Sequence, residues 1–101
     1  MNLEIAKMLT TSTSHITRKT AGLLNDICNY KVESDLIIYP KRDIRDYSGW
    51  FIYCNVGKPG LDVPKDLMQL MCFTSDSGCD WLCLDRDGEI INNKFFEIYE
   101  W

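Results

Sequence analysis

The chain predicts an α+β fold: a two-layer sandwich whose mainly antiparallel sheet carries two helices on one face. Three observations lead there. Two segments place apolar residues at helical spacing, Leu23, Leu24, Ile27 and Cys28 in one and Leu67, Leu70 and Met71 in the other. Short apolar runs of strand length alternate with them: Leu36, Ile37, Ile38 and Tyr39; Trp50, Phe51, Ile52, Tyr53 and Cys54; Trp81, Leu82, Cys83 and Leu84. The chain has 101 residues, 46% hydrophobic and 26% charged, with no repeat or linker-like stretch, which suits a single domain over 1–101 around one core.

The elements follow in order. Residues 4–13 open ambiguously, but the threonine-rich second half favours a strand. Thr17 is an N-cap with Ile16 and Ala21 as a weak staple, and a helix runs from there to about Asn29. Arg18 and Lys19 stand at its start against the macrodipole, a hint that an anion binds there. The run 36–39 is a strand stopped by Pro40, and 41–46 is a charged loop. Residues 50–54 form the strongest strand, and Lys58, Pro59 and Gly60 a turn. Pro64 and Asp66 open the second helix and Gly78 closes it. Residues 80–84 are a strand, which Arg86, Asp87 and Gly88 turn back as a hairpin through Ile90 and Ile91. Residues 95–101 are too apolar to dangle and dock as an edge strand or over a sheet end. This is a ferredoxin-like βαββαβ order plus a C-terminal strand or segment.

Residues of both parities are apolar in each main strand, so both sheet faces need cover. The helices cover one. The other is either an interface or the resting place of 95–101. Trp50, Tyr53 and Trp81 are the candidate anchors, and Asp43, Asp46, Asp85, Asp87 and Glu89 the acidic contacts.

The net charge of −4 argues against a phosphate-gripping protein. Tyr39, Tyr47, Trp50 and Tyr53 beside Lys41, Arg42 and Arg45 compose a stacking patch, but Asp43 and Asp46 dilute it, which speaks against direct nucleic-acid binding. The five cysteines form no CxxC pair and read as reduced, packed thiols; neither a metal nor another cofactor is expected. No secretion signal opens the chain and no apolar run approaches membrane-spanning length, so no membrane partner is expected. Asp85, Asp87 and Glu89 match a fragment of a calcium loop, yet Asp-Gly is a common turn and the rest of the ligand series is missing. His15 is the only imidazole. With Ser14 and Arg18 it makes a candidate ligand pocket at a helix start; the plainer reading is local capping by Ser14 and Thr17 with one hydrogen bond from His15.

The motifs Ser12-Thr13-Ser14-His15-Ile16-Thr17, Gly49-Trp50-Phe51-Ile52-Tyr53 and Cys79-Asp80-Trp81-Leu82-Cys83-Leu84-Asp85-Arg86-Asp87-Gly88, with the closing Tyr99-Glu100-Trp101, resemble a family of small uncharacterised proteins encoded by bacteriophages, plasmids and integrated elements. The resemblance runs from about Thr10 to the end and implies an accessory protein in the cytoplasm of a bacterial host, with no activity attached. By analogy with small acidic phage proteins, it implies an anti-CRISPR-like role. The expectation is therefore a non-enzymatic protein that binds a host protein stoichiometrically, such as a CRISPR effector or other defence component, with homodimerisation a further use of the sheet. The alternative is a small enzyme or anion-binding domain using the pocket around His15.

Overall fold

Thr17 sets the first helix, α1 (Arg18–Cys28): its hydroxyl accepts from the Thr20 N–H at 3.1 Å, supplying one missing acceptor of the first turn. The computed structural model describes residues 3–42, 47–92, 94 and 96–100; Asp43, Arg45, Asp46, Phe95 and Trp101, named above, lie outside the described residues. The chain enters through β1 (Met8–Ser12) and a single 3-10 turn (Thr13–His15) before α1. After it come β2 (Ile38–Arg42), β3 (Tyr47–Tyr53), α2 (Lys65–Asp76) and β4 (Trp81–Asp85).

The fold is α+β, with a four-stranded sheet in the order β1-β4-β3-β2. The sheet is mixed: β2 and β4 flank β3 antiparallel, while β1 lies parallel to β4. The elements follow one another along the chain in the expected βαββαβ order, but the sheet departs from a ferredoxin-like one, which would place the first strand in the middle. β4 takes that position because Leu82 and Leu84 are fully buried on one side and Cys83 is 2% exposed on the other. β1, with Met8 and Thr10 exposed, tolerates an edge.

Strand β2 runs through Pro40 to Arg42 instead of stopping at the proline. As an edge strand it tolerates a residue with no N–H to donate. The core is one cluster in which Leu24 of α1 and Leu67, Leu70 and Met71 of α2 pack on Trp50, Ile52, Leu82 and Leu84 of the sheet. Burying such side chains contributes roughly 1.5–3 kcal/mol each before entropy is charged against it.

Both helices end in the same hydrogen-bond pattern. In α2, Gly78 and Cys79 donate to the Ser75 and Thr74 carbonyls, with Gly78 at φ +81°. In α1, Tyr30 and Lys31 donate to Ile27 and Asp26, with Tyr30 at φ +60°. These are Schellman closures, one on the residue that favours them and one on a residue that does not.

The hairpin expected after β4 does not form. Both edges of β4 are already taken, by β1 and β3. The Gly88 N–H closes a turn onto the Asp85 carbonyl at 2.9 Å, and the chain then crosses to the outside of β1. There the Glu89 carbonyl accepts from the Ser12 N–H at 3.0 Å and the Thr11 hydroxyl at 2.7 Å. Gly88 passes so close that a Cβ would sit 2.5 Å from the Thr11 carbonyl oxygen, which is why glycine stands there. No strand is assigned to the described residues beyond β4, so the C-terminal segment is a strap and not an edge strand.

Candidate functional site

Strand parity divides the sheet. Leu9 and Thr11, Leu82 and Leu84, Trp50 and Ile52, and Ile38 and Pro40 share the helix-covered side, by register and burial. The opposite side is laid out in rows. Met8, Trp81 and Tyr53 form the first, Thr10, Cys83, Phe51 and Tyr39 the second, and Asp85, Gly49 and Lys41 the third. The described part of the C-terminal strap packs elsewhere, with Phe96 edge-on to Phe73 of α2 at 5.2 Å and to His15 at 5.9 Å.

The centre of the open face is aromatic. The Trp81 ring meets Tyr53 edge-to-face at 5.3 Å and Tyr39 at 6.1 Å in a tilted contact. Phe51, Tyr53 and Trp81 are half-buried, and Tyr39 is 57% exposed. In the third row, Gly49 has no side chain, and the Lys41 ammonium reaches across to pair with the Asp85 carboxylate.

That hydrogen bond pushes Lys41 up from its ordinary value and holds Asp85 down, helped at Asp85 by the Asp87 N–H. Cys83 sits between them on the same face and is pushed up by burial, against the opposing pull of Lys41. It is a protonated, inert thiol at neutral pH. Cys54, in the core, is pushed up to about 11 by burial.

The pair predicts two flanks in the pH dependence of stability. Asp85 contributes fully above its unfolded value of about 3.8, and its share is lost as pH falls through its lowered folded value. Lys41 contributes fully below about 10.5, and its share is lost as pH rises through its raised folded value. Lys41→Met should remove the alkaline flank and shrink the acid one, leaving the Asp87 N–H to act on Asp85. The pair is partly solvated, so the effect at neutral pH is about 0.2–1 kcal/mol. Urea titrations of both proteins across pH check this; identical alkaline flanks would refute it.

The sequence-predicted residues separate. Trp81 and Tyr53 do lie together on the open face. Trp50 does not: it is 5% exposed beneath the helices, because it stands three positions from Tyr53 in one strand and so has the opposite parity. Asp85 is present but its charge is matched by Lys41, while Asp87 and Glu89 are exposed in and after the turn. Asp43 and Asp46 lie outside the described residues.

The chain itself engages the polar groups of His15 and the Ser14 carbonyl that a ligand there would use. His15 is 3% exposed; its Nδ1–H donates to the Glu97 carbonyl at 2.9 Å and its Nε2 accepts from the Ile91 N–H at 2.8 Å. Those roles assign the neutral Nδ1–H tautomer. The Ser14 carbonyl accepts from the Tyr99 N–H at 2.7 Å, and Arg18 is exposed. The anion at the start of α1 is Asp66 of α2, which accepts from the Thr17 N–H at 2.9 Å and from the Thr20 hydroxyl at 2.8 Å. The basic pair at the helix start thus indicated an anion, but an internal one.

Tyr39 and Phe51 were missed as anchors. The sequence marks Tyr39 only as part of a stacking patch and does not single out Phe51. Parity relative to Tyr53 was the available signal for Phe51. Among the described residues no helix is long and apolar enough to cross a membrane. A family model described as "Family of unknown function (DUF5983) C-terminal domain" matches residues 8–101. No curated protein and no solved structure matches the chain.

Proposed function

Since the chain belongs to the DUF5983 C-terminal domain family, whose description carries no activity, we propose a function from the geometry: a non-enzymatic module that binds a host protein stoichiometrically. The open sheet face is its contact surface. The observation that carries this reading is the Tyr39–Trp81–Tyr53 cluster, half-buried at Tyr53 and Trp81 and 57% exposed at Tyr39. Contiguous aromatic surface of this kind is where interface hot spots concentrate. Asp87 and Glu89 add exposed negative charge at one end of it.

The engagement of both His15 nitrogens by main-chain groups favours this reading over a small enzyme or anion-binding domain at that residue. The resemblance of the motifs to proteins of mobile elements points to a partner in the host cytoplasm, with a CRISPR effector or other defence component as the first class to try. Self-association through the same face is the second reading, favoured by the exposure of Tyr39 on it.

The test is capture from host lysate with the wild type and with Trp81→Ala. Trp81 is half-buried on the surface, so the variant should stay folded, while loss of a central anchor should weaken a partner by about 2 kcal/mol or more, roughly thirtyfold. Equal recovery of the same partner by both proteins would overturn the assignment of the face. Light scattering over a concentration range separates a homodimer from a heterologous complex.

A further inference from the structure

A second surface, away from the centre of the open face, has its own chemistry. Between the C-terminal end of α1, the edge strand β2 and the link into α2 lies a groove of about 1180 Å³. That exceeds the roughly 300–1,000 Å³ of sites for small ligands. Leu23, Ile27, Leu36, Ile38 and Val63 supply its apolar lining.

The charged side chains that line this groove are acidic. Glu33, Asp35 and Asp62 line it, and among the described residues no lysine, arginine or histidine does. Lys58 pairs with Asp35 at 3.7 Å, so the net negative charge of the groove rests on Glu33 and Asp62. Lys31, Lys41 and Lys65 adjoin lining residues in the chain without lining the groove, and Arg42 lies near enough to Cys28 to act on its thiol. Exposed apolar side chains also gather here: Tyr30 at 95%, Tyr39 at 57% and Val32 at 41% exposure all line the groove.

We propose that this groove docks an amphipathic helix of a partner protein, apolar on one face and lysine- or arginine-rich on the other. The apolar lining takes residues at i, i+3, i+4 and i+7, and the three carboxylates take the flanking cations. A strand is the poorer occupant. Pro40 removes a donor from the β2 edge, and the register shift at Lys41/Arg42 breaks its line. Phosphate-bearing partners, whether nucleic acid or lipid, are repelled by the same carboxylates.

Tyr30 is the anchor. It occupies in α1 the left-handed position that Gly78 occupies in α2, and its ring stands 95% exposed on the groove. Glycine there relieves the backbone while deleting the aromatic contact, so Tyr30→Gly should melt no lower than the wild type and bind less well. A residue needed only for folding does not behave so.

The probes are synthetic peptides of about 15 residues with leucines at helical spacing and either lysines or glutamates elsewhere. Calorimetry should show the lysine peptide binding, more weakly as salt rises, and the glutamate peptide not binding. Tyr30→Gly should weaken binding roughly tenfold. The double variant Glu33→Lys with Asp62→Lys should abolish it. The proposal is overturned by any of these: no binding by the wild type, equal binding of both peptides, or wild-type affinity in the groove variants.

Discussion

Replacing His15 by alanine is expected to destabilise the protein by about 3 kcal/mol and to free the segment after Gly88. The imidazole holds two stretches of main chain, at Ile91 and at Glu97, and Phe96 packs against its ring between them. Alanine leaves the half-buried Ile91 N–H without an acceptor and opens space beside Phe96. For a domain of this size, with net stability of roughly 5–10 kcal/mol, that is a large fraction. Hydrogen exchange gives the signature: the amides of Ile91 and Tyr99 should lose protection before those of β4.

Two milder variants divide the effect. His15→Asn presents an N–H where Nδ1 stood and can keep the Glu97 bond. His15→Gln presents an oxygen near Nε2 and can keep the Ile91 bond. Each should recover part of the loss, of the order of 1 kcal/mol. An alanine variant with an unchanged denaturation midpoint and unchanged protection at Ile91 would show that the strap does not depend on the ring.

Gly49→Ala is expected to cost about 3 kcal/mol or more. Gly49 lies in β3 opposite Asp85, at φ +154°, and a Cβ there would stand 1.6 Å from the Leu84 carbonyl oxygen and 2.7 Å from its carbon. The obstruction is backbone of the central strand, so no rotamer relieves it, and the β3–β4 ladder must part. The same shift would pull Lys41 and Asp85 out of reach of each other. Gly22→Ala is the matched control: Gly22 lies exposed in α1 with open space around its Cβ position, and alanine there should add roughly 0.5–1 kcal/mol. Chemical denaturation of the two variants should move the midpoint in opposite directions; a shift of Gly49→Ala no larger than that of Gly22→Ala would refute the close approach.

The candidate surface was half legible. Alternation along 81–84 correctly separates Trp81 and Cys83 from Leu82 and Leu84, and the register confirms the division. The same rule applied within β3 puts Phe51 with Tyr53 and sends Trp50 to the core, so Trp50 and Tyr53 cannot both be anchors on one face. The groove had no local signature. Its lining comes from segments around 23, 33, 38 and 62, which are brought together only by packing.

What the residues settled alone is whatever depends on near neighbours: the start of α1 at the Thr17 cap, the end of α2 at Gly78, the positions of the strand cores, and the two-helix α+β composition. Capping, helical spacing and alternation act over a few positions, and those positions are adjacent in the chain. The strand order, the parallel β1–β4 pairing, the Asp66 carboxylate at the start of α1 and the grip of His15 on Ile91 and Glu97 belong to the tertiary structure. Each joins residues far apart in the chain, and each depends on which strand is apolar enough on both sides to lie inside the sheet. β4 is, so β1 and β3 take its edges and the rest of the chain is turned outward along β1 to the imidazole.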